Sequence, residues 1–141
     1  MLHMGEYIKD YDSWNKYKKT LNENGFGDYC HEREVWWCAI GVNIGSEQDG
    51  KNERFERPVL IIRKIRKDLL LVAPLTSKIS DEPQRIYTES TGEKSQILLD
   101  QTRTISNKRL LGKIGRVKKA VYQEVLIGII QFLLINTKTP L

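Results

Sequence analysis

The sequence predicts one small domain, mainly β and barrel-like, with a helix ahead of it and a second helix closing it. Three observations carry that expectation. Short runs of apolar, β-branched and aromatic residues recur between Glu34 and Val117, broken by turn residues at the spacing of a small antiparallel barrel. An aromatic stripe at helical spacing comes before them, and a strongly apolar helical pattern comes after. The 141 residues, 40% apolar and 29% charged, suffice for one modest core without covalent staples.

Residues 10–24 read as an amphipathic helix. Tyr11, Trp14, Tyr17 or Lys18, and Leu21 share a face, Asp12 or Ser13 supplies the cap, and Asn24-Gly25 the stop, with the glycine left-handed. A linker at 25–29 divides the chain into a helical extension, 1–31, and the domain proper, 32–141. Residues 34–40 (EVWWCAI) form the first strand, and alternation sends Trp36 and Trp37 to opposite faces. Residues 57–63 (RPVLIIR) form the second, with Pro58 tolerated at its start. The basic run 63–67 turns the chain, 69–75 (LLLVAPL) returns, and 85–88 is a short fourth strand. Residues 95–100 and 103–105 make one strand or two joined by a bulge, Ser106 caps a short helix through Leu111, and 113–117 is the last strand. From Lys118 to Ile135 the pattern is helical, with Val121, Val125, Ile129 and Phe132 or Leu133 on one face. Leu126, Ile130 and Leu134 widen the apolar arc, so burial against the sheet or a second subunit is expected.

Charge is unevenly spread. Residues 1–56 hold 7 Lys/Arg and 11 Asp/Glu, whereas 57–141 hold 16 and 7, so the two parts carry −4 and +9. The basic part suits a polyanion such as RNA or DNA; the equal alternative is a solvated face balancing the acidic part. Cys30 and Cys38 are too few for a disulfide framework, which points to a reducing cytosol. With His31 they lack a fourth metal ligand, and His31 itself is expected to be structural or exposed, as the only other histidine, His3, stands far from any motif. No glycine-rich phosphate loop opens a helix, which disfavours nucleotide hydrolysis. Met1 to Glu6 show no apolar signal-peptide run, and the longest apolar run, 125–135, is too short to cross a bilayer. A cytoplasmic location, no membrane, no metal and no cofactor are expected.

Six segments then stand in a recognisable order. They are Glu34-Val35-Trp36-Trp37, Gly45-Ser46-Glu47-Gln48, Arg57-Pro58-Val59-Leu60-Ile61-Ile62, Ala73-Pro74-Leu75-Thr76-Ser77, Leu98-Leu99-Asp100-Gln101-Thr102-Arg103-Thr104-Ile105, and Arg109-Leu110-Leu111-Gly112-Lys113-Ile114-Gly115. In this order they resemble the PemK/MazF-like toxins of type II toxin–antitoxin pairs. The resemblance implies an SH3-like small β-barrel of the PemK/MazF and CcdB/Kid-like type, here with extra N-terminal and C-terminal helices, and a homodimer. It implies a metal-independent endoribonuclease that cuts single-stranded mRNA through its own 2′-hydroxyl, leaving a 2′,3′-cyclic phosphate and a 5′-hydroxyl. A cognate antitoxin, and operator DNA reached through the antitoxin complex, are the implied partners. Three departures stand out: Arg33 where the family commonly has glycine, a longer loop from Gln48 to Arg57, and Leu98 where some members carry a catalytic arginine.

The resemblance also implies roles for single residues. Arg57 matches the catalytic arginine; its fork of donors suits two phosphate oxygens, and charge stabilisation is its expected task. Thr76 matches the catalytic threonine, with Ser77 assisting, against the alternative of a hydroxyl that caps its own loop. Glu47 is the candidate proton acceptor, or else it ties down the loop or pairs with Arg57. Ser46, where some relatives have histidine, joins Gln48, Ser77, Asp100, Gln101 and Arg103 as the nucleic-acid-binding set: amides and guanidinium groups read base edges or hold the backbone, and Asp100 orients a neighbour. Trp36 or Trp37 could stack a base, though core packing claims at least one. Two other readings share the fold: an inactive SH3-like barrel that binds nucleic acid or a protein partner, and a topoisomerase-poisoning toxin.

Overall fold

The computed structural model describes residues 7–25, 27 and 29–135, and His3 lies outside them. The first helix, α1 (Tyr11–Asn24), starts one residue later than the pattern suggests. Its cap is Asp10, not Asp12 or Ser13: the Asp10 carboxylate accepts from Ser13 N at 3.0 Å, while Asp12 falls in the first turn, where its charge faces the positive helix end. Gly25 ends the helix without turning left-handed. Its φ is −64°, and its N–H bonds Leu21 O at 2.8 Å. Glycine is required there by proximity, because a Cβ would lie 2.7 Å from the Lys108 side chain and 2.5 Å from Leu21 O.

Seven strands follow: β1 (Glu34–Ala39), β2 (Glu56–Arg66), β3 (Leu69–Thr76), β4 (Arg85–Thr88), β5 (Ser95–Leu98), β6 (Arg103–Ser106) and β7 (Leu110–Arg116), then the helix α2 (Lys119–Ile135). All pairings are antiparallel, in the order β4-β5-β3-β2-β1-β7. β3 is the corner of the fold. Leu69–Val72 pair with β6, whereas Leu75 and Thr76 pair with β5, so the sheet curls into a barrel-like shape without closing on itself. Several boundaries differ from the sequence pattern: the strand expected through Asp100 stops at Leu98, where a 3-10 turn (Leu99–Gln101) takes over, and two larger differences have clear causes. β2 runs on through the basic residues to Arg66 because they continue to pair with β3, leaving only Lys67-Asp68 for the turn. The helix expected after Ser106 shrinks to a 3-10 turn at Asn107–Arg109: Ser106 Oγ accepts from Lys108 N, and Asn107 N bonds Asp68 O, which draws the chain back into β7 at Leu110.

The two faces of β1 serve different cores. Trp36, Cys38 and Ile40 join Val59, Ile61, Leu70, Val72, Ile105 and Leu110 on one side, whereas Val35 joins Leu60, Ile62, Leu75, Ile97, Val117 and Val125 on the other. Trp37 faces the second side and stays partly exposed. α1 makes a third cluster by laying Trp14 and Leu21 on Ala39 and Val42, with Phe55 and Leu111 at its edge. The fit at Trp14 is close: Gly41 has φ +89°, and a Cβ there would meet the indole at 2.3 Å. α2 buries Val125 and partly buries Val121, Tyr122 and Ile129, and Tyr122 donates its hydroxyl to Ile62 O at 2.7 Å. Ile127, Ile130, Leu133 and Leu134 face outward, so this chain alone covers only one side of the apolar arc.

Three residues of the basic part of the chain serve the fold. Lys108 Nζ donates to Asn22 O and Arg109 to Ala39 O, and the Arg109 guanidinium lies 5.6 Å over the Trp14 ring. Lys113 reaches the buried carboxylate of Glu34 at 2.9 Å, which also accepts from His31 N and Trp36 Nε1. Arg33 takes φ +75° at the position where glycine is usual, held there by bonds from its guanidinium and to its carbonyl with Val117. Burial pushes the Glu34 carboxyl up, but the Lys113, His31 and Trp36 donors outweigh it and bring the pKa down from 4.5 to about 2. A depressed folded-state value stabilises the protein above the unfolded value, and that contribution drains away as pH falls from 4.5 towards 2. Glu34→Gln is therefore expected to flatten the acid limb of the stability curve in that window and to cost about 2–3 kcal/mol at pH 7, checked by urea unfolding at stepped pH.

Candidate functional site

The loop between β1 and β2 is knitted from within. Asn43 donates its side-chain amide to Ile40 O and Gln48 O, its backbone N–H meets Asp49 Oδ1 at 2.6 Å, and Gly50 N bonds Gly41 O. Ile40 N and Gly41 N both bond Phe55 O, which seats the loop's far end beneath Trp14. Glu47 closes the tip: its Oε1 accepts from Ile44 N at 3.0 Å. Gln101, from the 3-10 turn after β5, holds this tip from across the sheet, accepting from Gln48 N at 3.0 Å and donating to Ser46 O at 3.2 Å.

This scaffold fixes Arg57 at the start of β2. The residue is 8% exposed. Its Nε donates to Asp49 O at 2.7 Å and Nη1 to Leu75 O at 3.2 Å, and with the Gln48 amide assigned so that its oxygen faces the guanidinium, that oxygen accepts from Nε at 3.2 Å and Nη2 at 2.8 Å. All three acceptors are neutral. Burial lowers the guanidinium pKa, with the nearby Asp49 charge acting against it. An arginine has five N–H donors, so one on Nη1 and one on Nη2 have no acceptor among the described residues. A desolvated cation with oriented spare donors is a good ligand for an anion.

The candidate residues fall into two neighbouring depressions. A cavity of about 620 Å³ is lined by Ser46, Glu47, Gln48, Asp100, Gln101 and Arg103, together with the apolar floor Val59, Val72 and Pro74. A smaller one of about 190 Å³ is lined by Arg57, Thr76 and Ser77, with Trp37, Glu56, Glu93 and Thr91 around them. The Gln48–Arg57 contact joins the two. Val59 pairs with Pro74, so Arg57 and Thr76 stand at the same end of β2 and β3. Thr76 Oγ1 accepts from Lys78 N at 3.1 Å, which leaves its hydroxyl hydrogen free to donate. Leu98 is buried, and His31 is exposed beside Glu34. Among the described residues no cluster of side chains suits a metal ion, and no helix is long and apolar enough to cross a membrane.

Several residues of the site escaped the sequence reading. Asn43 and Asp49 organise the loop, and Glu56 brings a mostly buried carboxylate whose Oε2 has no hydrogen-bond donor, although Arg54 Nη2 lies 3.3 Å away. The segment before α1 and the helix's first residue also reach the loop. Lys9 Nζ donates to Asn43 O at 2.6 Å and Gly45 O at 3.1 Å, Tyr11 bonds Asn43 O at 2.9 Å, and Tyr7 donates to Asp49 Oδ2 at 2.9 Å. No motif marks these contacts, which arise only once α1 docks on Gly41. Gln101→Ala removes both cross-sheet bonds to the tip. Amide hydrogen exchange at Gln48 should then accelerate by about an order of magnitude, with the β-core unchanged.

The chain matches the family described as PemK-like, MazF-like toxin of type II toxin–antitoxin system over residues 31–133. No curated protein matches it by sequence. Among solved structures it is similar to MazF from Deinococcus radiodurans, at 21% identity and a TM-score of 0.61, covering 75% of this chain and 98% of that one. It is also similar to the MazE–MazF complex of that organism, at 18% identity and 0.58, covering 75% and 97%. A mycobacterial endoribonuclease in complex with its cognate antitoxin gives 15% identity and 0.59, covering 74% and 95%. At these identities the likeness shows the fold, and α1 lies before the matched residues. The match over 31–133 settles the family: this chain belongs to the PemK-like, MazF-like toxins of type II toxin–antitoxin systems.

Proposed function

We propose that this toxin is a metal-independent endoribonuclease of the cytoplasm that cuts single-stranded mRNA at short sequences. The observation that carries the reading is Arg57, buried at a strand end, held by neutral acceptors and left with two N–H groups that have no acceptor among the described residues. In the proposed reaction the 2′-oxygen attacks the adjacent phosphorus, the bond from phosphorus to the 5′-oxygen breaks, and the departing oxygen takes a proton from water, giving a 2′,3′-cyclic phosphate and a 5′-hydroxyl. Arg57 stabilises the charge that builds on the non-bridging oxygens. Thr76, its hydroxyl hydrogen free, donates to the phosphate or orients the 2′-oxygen, and Ser77 assists. Glu47 accepts the 2′ proton after leaving the Ile44 N–H that it caps in the free protein. Ser46, Gln48, Asp100, Gln101 and Arg103 line the larger cavity and take the neighbouring nucleotides, whose edges amide and guanidinium groups can read.

A cognate antitoxin is the proposed inhibitor, entering with an acidic segment that occupies the phosphate position, and operator DNA is reached through that complex. The structures of MazE with MazF give the precedent for such a pair. A second copy of the chain is the proposed cover for Ile127, Ile130, Leu133 and Leu134 on α2. Solution scattering should therefore report twice the 16.4 kDa chain mass.

The activity is tested by incubating the purified toxin with long single-stranded RNA in EDTA, beside Arg57→Ala. Cleavage is expected in the chelator, with a loss of roughly 100-fold or more in the variant, the scale of removing one transition-state donor. Salt-sensitive RNA binding with no Arg57-dependent scission would instead favour an inactive binding barrel.

A further inference from the structure

The acidic group whose charge Arg57 feels most is Asp49, yet no ion pair joins them among the described residues. The Asp49 carbonyl already accepts from Arg57 Nε, so its carboxylate sits one short side chain from the guanidinium. Both carboxylate oxygens are engaged elsewhere. Oδ1 takes the Asn43 N–H at 2.6 Å, while Oδ2 takes the Tyr7 hydroxyl at 2.9 Å and has Lys9 Nζ at 3.3 Å.

We propose that Tyr7 and Lys9 hold the Asp49 carboxylate off Arg57, which makes the N-terminal segment part of the phosphate site and Asp49 a positioning residue for it. The inference rests on the reading of Arg57 as a phosphate ligand. A carboxylate and a phosphate compete for the same guanidinium fork. With Tyr7 and Lys9 withdrawn, Oδ2 loses both partners beside a cation that has spare N–H groups, and an ion pair becomes the favoured arrangement. The site would then be closed by its own aspartate. The geometry of the strap supports the assignment. Lys9 also fastens Asn43 and Gly45, and its side chain is 23% exposed against 13% for Asp49, so the pair is shielded from solvent. Tyr7 is 64% exposed as a residue, but local desolvation of its phenol and the bond to Asp49 push it up to about 12, so it stays a donor throughout the physiological range. Trp14, seated against Gly41, fixes where the strap begins. These contacts precede the family match, which begins at residue 31.

The test combines Tyr7→Phe with Lys9→Met, which keep the apolar stems and remove the polar ends. For RNA cleavage, the double variant is expected to raise KM about tenfold with kcat little changed, the scale of one lost charge-assisted bond to phosphate. Adding Asp49→Asn is expected to restore KM to within about twofold, because the amide keeps the Asn43 contact without the competing charge. A lost structural contact would not be rescued in this way. An unchanged KM, or a raised one that Asp49→Asn leaves raised, overturns the inference. Should the wild-type chain cleave no RNA, the functional reading fails separately, and the crystal structure of the double variant still decides this point. Asp49 paired with Arg57 supports the inference, and Asp49 still turned towards Asn43 and away from Arg57 overturns it. If the double variant does not fold, Lys9→Met alone carries the same measurements.

Discussion

A guanidinium taken out of water must find acceptors for its N–H groups, and the kind it finds decides whether its charge remains usable. At Arg57 the acceptors are two backbone carbonyls and one side-chain amide, all neutral, so the cation is positioned without being neutralised. The acceptors come from two parts of the fold: the β1–β2 loop supplies Gln48 and Asp49, and β3 supplies Leu75. The site is therefore only as ordered as the loop, which explains why so much of the remaining structure converges on that loop. Gln101 grips its tip, Asn43 knits its middle, Phe55 anchors its end, and the N-terminal segment bears on its carbonyls and on Asp49.

This arrangement gives the loop before Arg57 a physical role. A short glycine-rich turn would place the arginine through the rigidity of the hairpin alone. Here the chain bulges outward, with Asn52 and Phe55 at positive φ, and it would be loose without outside support. α1 supplies that support through Trp14, whose indole fills the space beside Gly41 and stacks near Phe55 and Arg109. The longer loop and the additional helix are thus two halves of one solution. The same logic accounts for the basic residues Lys108, Arg109 and Lys113, which fasten α1 and β1 in place of forming a continuous anion-binding face.

The strands were legible because their residues alternate or run apolar between clear breakers, and Trp36 and Trp37 divide between core and surface as period-two alternation requires. Where the sequence misled, long-range bonds won over local preference. Asn107 N bonding Asp68 O converted an expected helix into a single 3-10 turn, and Gly25 ends α1 extended, with no room for a side chain beside Lys108. The candidate site was half legible. Motif segments brought forward Arg57, Thr76, Glu47, Ser46, Gln48, Ser77, Asp100, Gln101 and Arg103, and the fold gathers them around two adjoining depressions. Lys9, Tyr7 and Asn43 were invisible because their contacts depend on how α1 docks, and no local pattern encodes docking.

A scaffold that aims Arg57 at a scissile RNA phosphate leaves its mark in the chemistry of the fragment ends. Sequencing the 5′ ends of RNA exposed to the toxin, with ligation that distinguishes 5′-hydroxyl from 5′-phosphate, should return 5′-hydroxyl ends clustered at one recurrent short sequence and absent with Arg57→Ala. Ends carrying 5′-phosphate, or ends that persist unchanged in the variant, would contradict the account.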